Sequence, residues 1–204
     1  NYITKSGGII KKDVMDMWFK VIVAMLPAAI VGIPFDNLFE EHFHNYIVVS
    51  AALIVYGILF IIIERRNDGK KPKINSIADI SYKTALIIGC FQALSLIPGT
   101  SRSGSTILGA IIIGVSRVAA AEFSFFLAVP VMFGASLIKL LKFGFSFTGA
   151  ELAVLLVGTL TSFLVSVVAV KFLMNYVRKH DFSAFGYYRI ALGAVVLAYF
   201  LIAR

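Results

Sequence analysis

Charge is scarce in this sequence. Asp, Glu, Lys and Arg make up 15% of it, against about 25% in a soluble domain. Apolar residues make up 59% and the mean hydropathy is +0.91, so water is not the main solvent and the chain reads as an integral membrane protein. Cysteine is nearly absent. The single Cys90 excludes an intramolecular disulfide, and in its apolar run it reads as a small hydrophobe. Acidic residues are outnumbered, 11 against 19 Lys and Arg, for a net charge of +8. Such an excess can serve a nucleic acid, but here it gathers in short loops between apolar runs, where the positive-inside rule accounts for it. An initiator Met and a signal peptide are also missing, since the sequence opens on "NYITKSGGIIKKD". It is expected to be a fragment, or a protein whose beginning is missing.

Long apolar runs are what the sequence does have. A spanning helix needs about 20 predominantly apolar residues. Five stretches qualify: 18–35 with Pro27 inside it, 46–63, 119–141, 152–177 and 185–203. Alternation of the kind a β-barrel requires is absent, which predicts an all-α polytopic helical bundle. The loops orient it. "FDNLFEEHFHN" between the first two spans is acidic, whereas "ERRNDGKKPK" carries Arg65, Arg66, Lys70, Lys71 and Lys73. Lys171, Arg178 and Lys179 lie between the last two spans, and Lys5, Lys11 and Lys12 precede the first. Basic loops belong in the cytoplasm. The parity then requires residues 84–115 to enter and leave on that side, with Lys139 and Lys142 on the outer one.

Residues 84–115 are too broken to span. Thr84–Ile97 supplies about 14 residues, roughly 21 Å of helix, and Thr106–Val115 about 10, roughly 15 Å; the hydrocarbon core is about 30 Å thick. With the turn between them they predict a re-entrant hairpin with a polar tip near mid-membrane, in preference to one long kinked span with a polar patch. Paired short, Gly/Pro-interrupted segments also point to a binding site in inverted-repeat membrane proteins.

The turn reads "IPGTSRSGST" at 97–106. A charge near the bilayer centre costs at least about 2.5–3.5 kcal/mol, so Arg102 needs a partner. Its planar guanidinium fits phosphate oxygens. Ser101, Ser103, Ser105 and Thr106 add hydroxyls, Pro98 ends the first half-helix, and Gly99 and Gly104 allow close approach of a ligand. The second half-helix is expected to begin near Ser105 and to aim its positive end at the same place. Together these features favour phosphate over the bland alternative, a buried Arg paired with a carboxylate and hydroxyls bonded to backbone. Other phosphate chemistries fail. No GxxxxGK[ST] occurs, and Cys90 is too far upstream for a cysteine phosphatase. The His that acid-phosphatase-type lipid phosphatases carry six residues after the Arg is replaced by Leu108 or Phe123.

The stretch "FQALSLIPGTSRSGSTILGAIIIGVSRVAAAEFSFFLAVPVMFGA" resembles the bacterial undecaprenyl-diphosphate phosphatase family of the bacitracin-resistance type. Its signature P-G-x-S-R-S-x-x-T matches at Pro98, Gly99, Ser101, Arg102, Ser103 and Thr106. The resemblance implies two inverted repeats with a re-entrant hairpin each, and a multi-pass enzyme of the bacterial cytoplasmic membrane. It implies hydrolysis of the C55 polyprenyl diphosphate to the monophosphate, which recycles the lipid carrier of cell-wall synthesis, with a divalent metal, Mg²⁺ or Ca²⁺, as cofactor. Arg102 would grip the diphosphate, Ser101 and Ser103 line the site, and Thr106 support it; Gly99, Thr100, Gly104 and Ser105 would complete the substrate-binding turn. The partners implied are the lipid substrate and the bilayer, with homo-oligomerisation open and no nucleic acid. A transporter or flippase for an anionic lipid or phosphate-bearing small molecule is the competing reading, since broken helices and a midplane arginine suit it equally.

The family's first motif, paired glutamates followed by a Ser-Ser-Thr-Gly-His turn, is not found in residues 1–204. The metal-binding carboxylates, the histidine and the nucleophile or base are expected ahead of Asn1, in an N-terminal repeat. This chain is therefore expected to carry half of the site, either because the rest lies outside it or because this version is inactive, and no metal ligand is identifiable in it. Glu122 is the one carboxylate placed to contribute; an ion pair with Arg117 or Arg102 is the favoured reading for it. His42 and His44 with Glu40 and Glu41 are read as a solvated loop before a surface metal site. His180 in "RKHDF" reads as interfacial, and "EFSFFLAVPVMF" as packing surface before a groove for a prenyl tail.

Overall fold

The computed structural model describes residues 12–144 and 147–202. Without water to satisfy backbone groups, a helix is the one open-chain solution in hydrocarbon, and the described residues form seven: α1 Lys12–Phe43, α2 Tyr46–Asn67, α3 Tyr82–Ala93, α4 Arg102–Ile112, α5 Arg117–Phe143, α6 Gly149–Val177 and α7 Ser183–Ile202. Five of them, α1, α2, α5, α6 and α7, are long and apolar enough to cross a membrane. This is the expected all-α polytopic bundle. Hydroxyl and amide side chains start the helices. Asn45 accepts from Val48 N at 2.9 Å, Ser81 from Thr84 N at 3.1 Å and Ser116 from Ala119 N at 3.3 Å, and Thr148 forms a reciprocal capping box with Glu151. One expected loop is corrected: α1 continues past Pro34 through most of "FDNLFEEHF" and ends at Phe43. Proline in a helix removes one backbone bond, and neither Pro27 nor Pro34 ends this one.

Residues 82–112 form a helical hairpin. Its base is clipped by backbone bonds from Lys73 N to Gly114 O (2.8 Å) and from Ser116 N to Ile74 O (2.8 Å), so both ends leave on the same, basic end of the bundle. The rising arm, α3 and a 3₁₀ turn Leu94–Leu96, runs parallel to α1. Tyr82 donates to Asp16 at 2.7 Å near the base, Gly89 faces the backbone of Ala24, and Leu96 lies against Gly32. The tip lies beside the start of α2. Gly99 sits on Val49 and Ala52, in the first two turns of α2, which places it within about 10 Å of the end of a helix about 33 Å long. The arm reaches that far because it starts two residues earlier than expected and finishes in a 3₁₀ turn, which rises about 2.0 Å per residue instead of 1.5.

The second seam joins α2 to α7, antiparallel. A Cβ on Gly186 would lie 2.7 Å from Gly57 O and 2.9 Å from Ile61 Cγ1, and one on Gly193 would lie 2.9 Å from Ser50 O. Small residues let backbones approach where no hydrophobic force drives helices together. Gly186→Val is therefore expected to cost about 1–3 kcal/mol by overpacking, read as a lower thermal midpoint in detergent; an unchanged midpoint would contradict this seam. The buried core lies under the hairpin, with Ile88, Ile107, Leu108, Ala120, Phe123 and Leu127 inaccessible. In contrast, α6 is exposed from Gly149 to Phe172, an apolar surface suited to lipid.

Candidate functional site at the hairpin tip

The turn between the arms is built by two side chains and one glycine. Gly99 has φ +92°, and a Cβ there would lie 2.6 Å from Val49 O, so only glycine fits both the backbone and the neighbour. The Thr100 hydroxyl donates to Ile97 O (2.8 Å) and Leu94 O (3.2 Å), covering carbonyls that end the rising arm. Ser101 holds φ +66°, ψ +123°, a conformation that costs a non-glycine residue about 1–3 kcal/mol and clusters at functional sites. Its Oγ accepts from Gly104 N at 3.3 Å and caps α4. The descending helix therefore begins at Arg102, not near Ser105 as expected, because the Ser101 hydroxyl reaches back to the N–H three residues on. Arg102 and Ser103 are thereby placed in the first turn, where backbone N–H groups lack intrahelical partners and the helix dipole is positive.

The predicted residues divide by access. Ser101 is exposed, and Arg102 and Ser103 are half-buried. The two serine hydroxyls lie 3.4 Å apart. Arg102 Nη1 donates to Ser124 O at 3.3 Å, a single bond that leaves most of its fork of donors for another acceptor. Thr106 is fully enclosed. Its Oγ1 lies 2.7 Å from Ser124 Oγ and donates to Arg102 O and Ser103 O, both at 3.1 Å. It braces the first turn of α4 against α5 from behind. Ser105 Oγ is buried with no hydrogen-bond partner among the described residues, as are Ser50 Oγ and the amide of Gln92.

The residue that the sequence analysis missed is Arg189. It lies in α7, 9% exposed, and its Nη2 donates to Gly99 O at 2.6 Å and Thr100 O at 2.8 Å, 90 and 89 residues away. A Cβ on Gly104 would lie 3.3 Å from its Nη1, and its guanidinium carbon is 5.7 Å from the centre of the Tyr56 ring. Two guanidinium groups thus meet one turn, Arg102 within it and Arg189 beneath it. A signal was present: an ionisable residue inside a span is by default functional, and Arg189 interrupts the run read as 185–203.

The expected carboxylate pairing is corrected. Glu122 is half-buried and makes no ion pair among the described residues. Five residues turn an α-helix through about 140° beyond one full circle, so Arg117 and Glu122 lie on different faces of α5. Arg117 pairs instead with Glu64, donating from Nε at 2.8 Å and Nη2 at 2.5 Å, while the other oxygen of that buried carboxylate accepts from Phe182 N at 3.2 Å. Arg102 has no carboxylate partner among the described residues. His42 and His44 are exposed, and the Glu40 side chain lies outside what is described. No three His, Cys, Asp or Glu among the described residues are grouped to hold a metal. His180 is exposed and stacks on Tyr176 at 4.5 Å. In "EFSFFLAVPVMF", Phe123 is buried and Phe126 meets the edge of Trp18 at 6.1 Å, while Val129, Met132 and Phe133 face outward.

The turn gathers groups whose chemistry suits an anion: hydroxyls, a guanidinium edge and a helix N-terminus converge, with no carboxylate paired to them among the described residues. The same turn lies within a longer match. Residues 2–195 fit the family model described as bacitracin resistance protein BacA. A protein of Acetivibrio thermocellus named undecaprenyl-diphosphatase is 60% identical over 195 residues, 96% of this chain and 72% of its own length. One of Enterococcus faecalis with the same name is 62% identical, over 95% of this chain and 70% of its own. A third, of Clostridium acetobutylicum, named undecaprenyl-diphosphatase 1, is 58% identical over 96% of this chain and 72% of its own. With agreement along nearly the whole chain, the hairpin turn included, the chain belongs to the bacitracin resistance protein BacA family.

Proposed function

We propose that this chain acts as an integral membrane lipid diphosphatase, hydrolysing undecaprenyl diphosphate to undecaprenyl phosphate and inorganic phosphate. The observation that carries the reading is the strained, capped turn at Ser101 with Arg102 and Ser103 on its accessible side. The names of the relatives support the substrate. In the reaction, water attacks the terminal phosphorus and the bond to the bridging oxygen breaks, leaving the prenyl monophosphate. Such transfer is governed by positioned positive charge more than by covalent chemistry. Arg102 holds the non-bridging oxygens, the α4 N–H groups and the Ser101 and Ser103 hydroxyls donate to the same group, and Thr106 and Arg189 keep the turn in place.

A divalent metal, Mg²⁺ or Ca²⁺, is part of the proposal from the family resemblance. The described residues do not supply a donor set for it, and no step above passes through it. The tip lies toward the acidic end of α1 and α2, which charge bias assigns to the outer face of the cytoplasmic membrane; a carrier released there by cell-wall synthesis meets it directly.

The test is product analysis with purified protein in liposomes that contain undecaprenyl diphosphate. Equal amounts of phosphate and prenyl monophosphate are expected. Movement of the intact diphosphate between leaflets with no phosphate released would favour the transporter reading and overturn this one.

A further inference from the structure

A second cationic site lies at the opposite end of the hairpin. A half-open cavity of about 560 Å³ lies between the end of α2, the loop after it, the base of the hairpin and the end of α6. Arg66, Lys70, Lys71, Lys73, Arg117 and Arg178 line it, against one acidic residue, Glu64. That carboxylate is already committed to Arg117 and to Phe182 N. Asp68 and Asp181 act on Arg117 through space but do not line the cavity; Asp68 accepts from Gly69 N and Asp181 from Ser183 N and Oγ. The other five cations make no ion pair among the described residues. Like charges facing one cavity repel unless an anion joins them.

Apart from Asn67 and Ser116, the uncharged lining is apolar or glycine. Ile111, Ile112 and Ile113 come from the hairpin base and Val177 from α6, with Ile112 48% exposed. A freely dissolved anion has no use for that surface, whereas a headgroup phosphate carries glycerol and acyl carbons to cover it. Basic pockets between helix ends on the cytoplasmic side are where anionic headgroups bind. The tip is a separate place, since Ile111 lies nine residues down α4 from Arg102, about 14 Å.

We propose that this cavity is a phosphate-binding site distinct from the tip, occupied by the headgroup of an anionic phospholipid from the leaflet at the basic end. The lipid ties the end of α6 to α2 and the hairpin base, which the Glu64–Arg117 pair and the backbone bonds of Lys73 and Ser116 already join to each other.

The protein is reconstituted with phosphatidylcholine alone or with added phosphatidylglycerol, and bound lipid is read by native mass spectrometry. A retained phosphatidylglycerol is expected. Lys70→Gln/Lys71→Gln/Arg178→Gln, all exposed residues, is expected to weaken retention about 100-fold, from the usual contribution of each basic residue near an anionic surface. Lys139→Gln/Lys142→Gln, at the other end of α5, is expected to leave it unchanged, and Arg102→Ala likewise, which separates this site from the tip. A parallel arm titrates inorganic phosphate in phosphatidylcholine and follows hydrogen exchange of residues 65–73. Protection there without a lipid adduct, abolished by the triple variant, would keep the phosphate site and overturn the lipid as its source. No adduct and no protection, or equal loss in both charge variants, would overturn the site. The three single variants give the same comparison if the triple variant fails to fold.

Discussion

Arg102→Ala is expected to lower phosphate release from undecaprenyl diphosphate by about 10³-fold, the scale on which removal of a charged donor to a transferring phosphoryl group acts. Stability should change little. In the structure this guanidinium makes one protein bond, to Ser124 O at 3.3 Å, and the helix start is held by Ser101 and Thr106 instead. The measurement is therefore a pair: turnover with the prenyl diphosphate, and the thermal midpoint in detergent. A large loss of turnover with a nearly unchanged midpoint is the signature of a group held ready for substrate. Arg102→Lys should recover part of the activity, because it restores the charge but not the fork. An alanine variant within tenfold of the parent would remove Arg102 from the site.

Arg189→Met is expected to fail differently. It leaves the Gly99 and Thr100 carbonyls without their shared donor, where hydrogen bonds to charged groups contribute about 1.5–3 kcal/mol each. The thermal midpoint should fall, and turnover should drop about 100-fold, the cost of misplacing a site by about 1 Å. We treat Arg189 as a positioning residue, so the readout that matters is the split of constants. Arg189→Lys, which reaches one carbonyl at a time, should lower kcat with KM nearly unchanged. A variant that raises KM alone, with the midpoint intact, would instead put Arg189 on the substrate. Turnover and midpoint both unchanged in the methionine variant would leave it no role at the tip.

The two arginines show how far the sequence could be read. Arg102 stood out because its neighbours are polar, glycine-rich and local, so composition alone marked the turn. Arg189 carries the same charge at comparable depth, but it sits among Tyr188, Ile190 and Ala191 in a run that hydropathy averages into a span. Its partners lie 89 and 90 residues away. Glu64 escaped notice for the same reason: Arg117 is 53 residues from it, whereas Glu122 was near in sequence and on another face of the helix. The start of α4 was misjudged by three residues, although a serine three residues before a free N–H is a capping signal that could have placed it.

The sequence by itself determined the solvent, the five spans, the pair of short helices between them and the residues of the turn that joins that pair. Each follows from chemistry within a window of a few helical turns: apolar length against bilayer thickness, breaker residues, and charge in loops. The tertiary structure alone decided which buried charges meet, how far the tip rises along α2, and that five unpaired cations share one cavity at the base. Those are set by glycine seams and by helix rotation, which fix distances between residues far apart in the chain, and no local pattern encodes them.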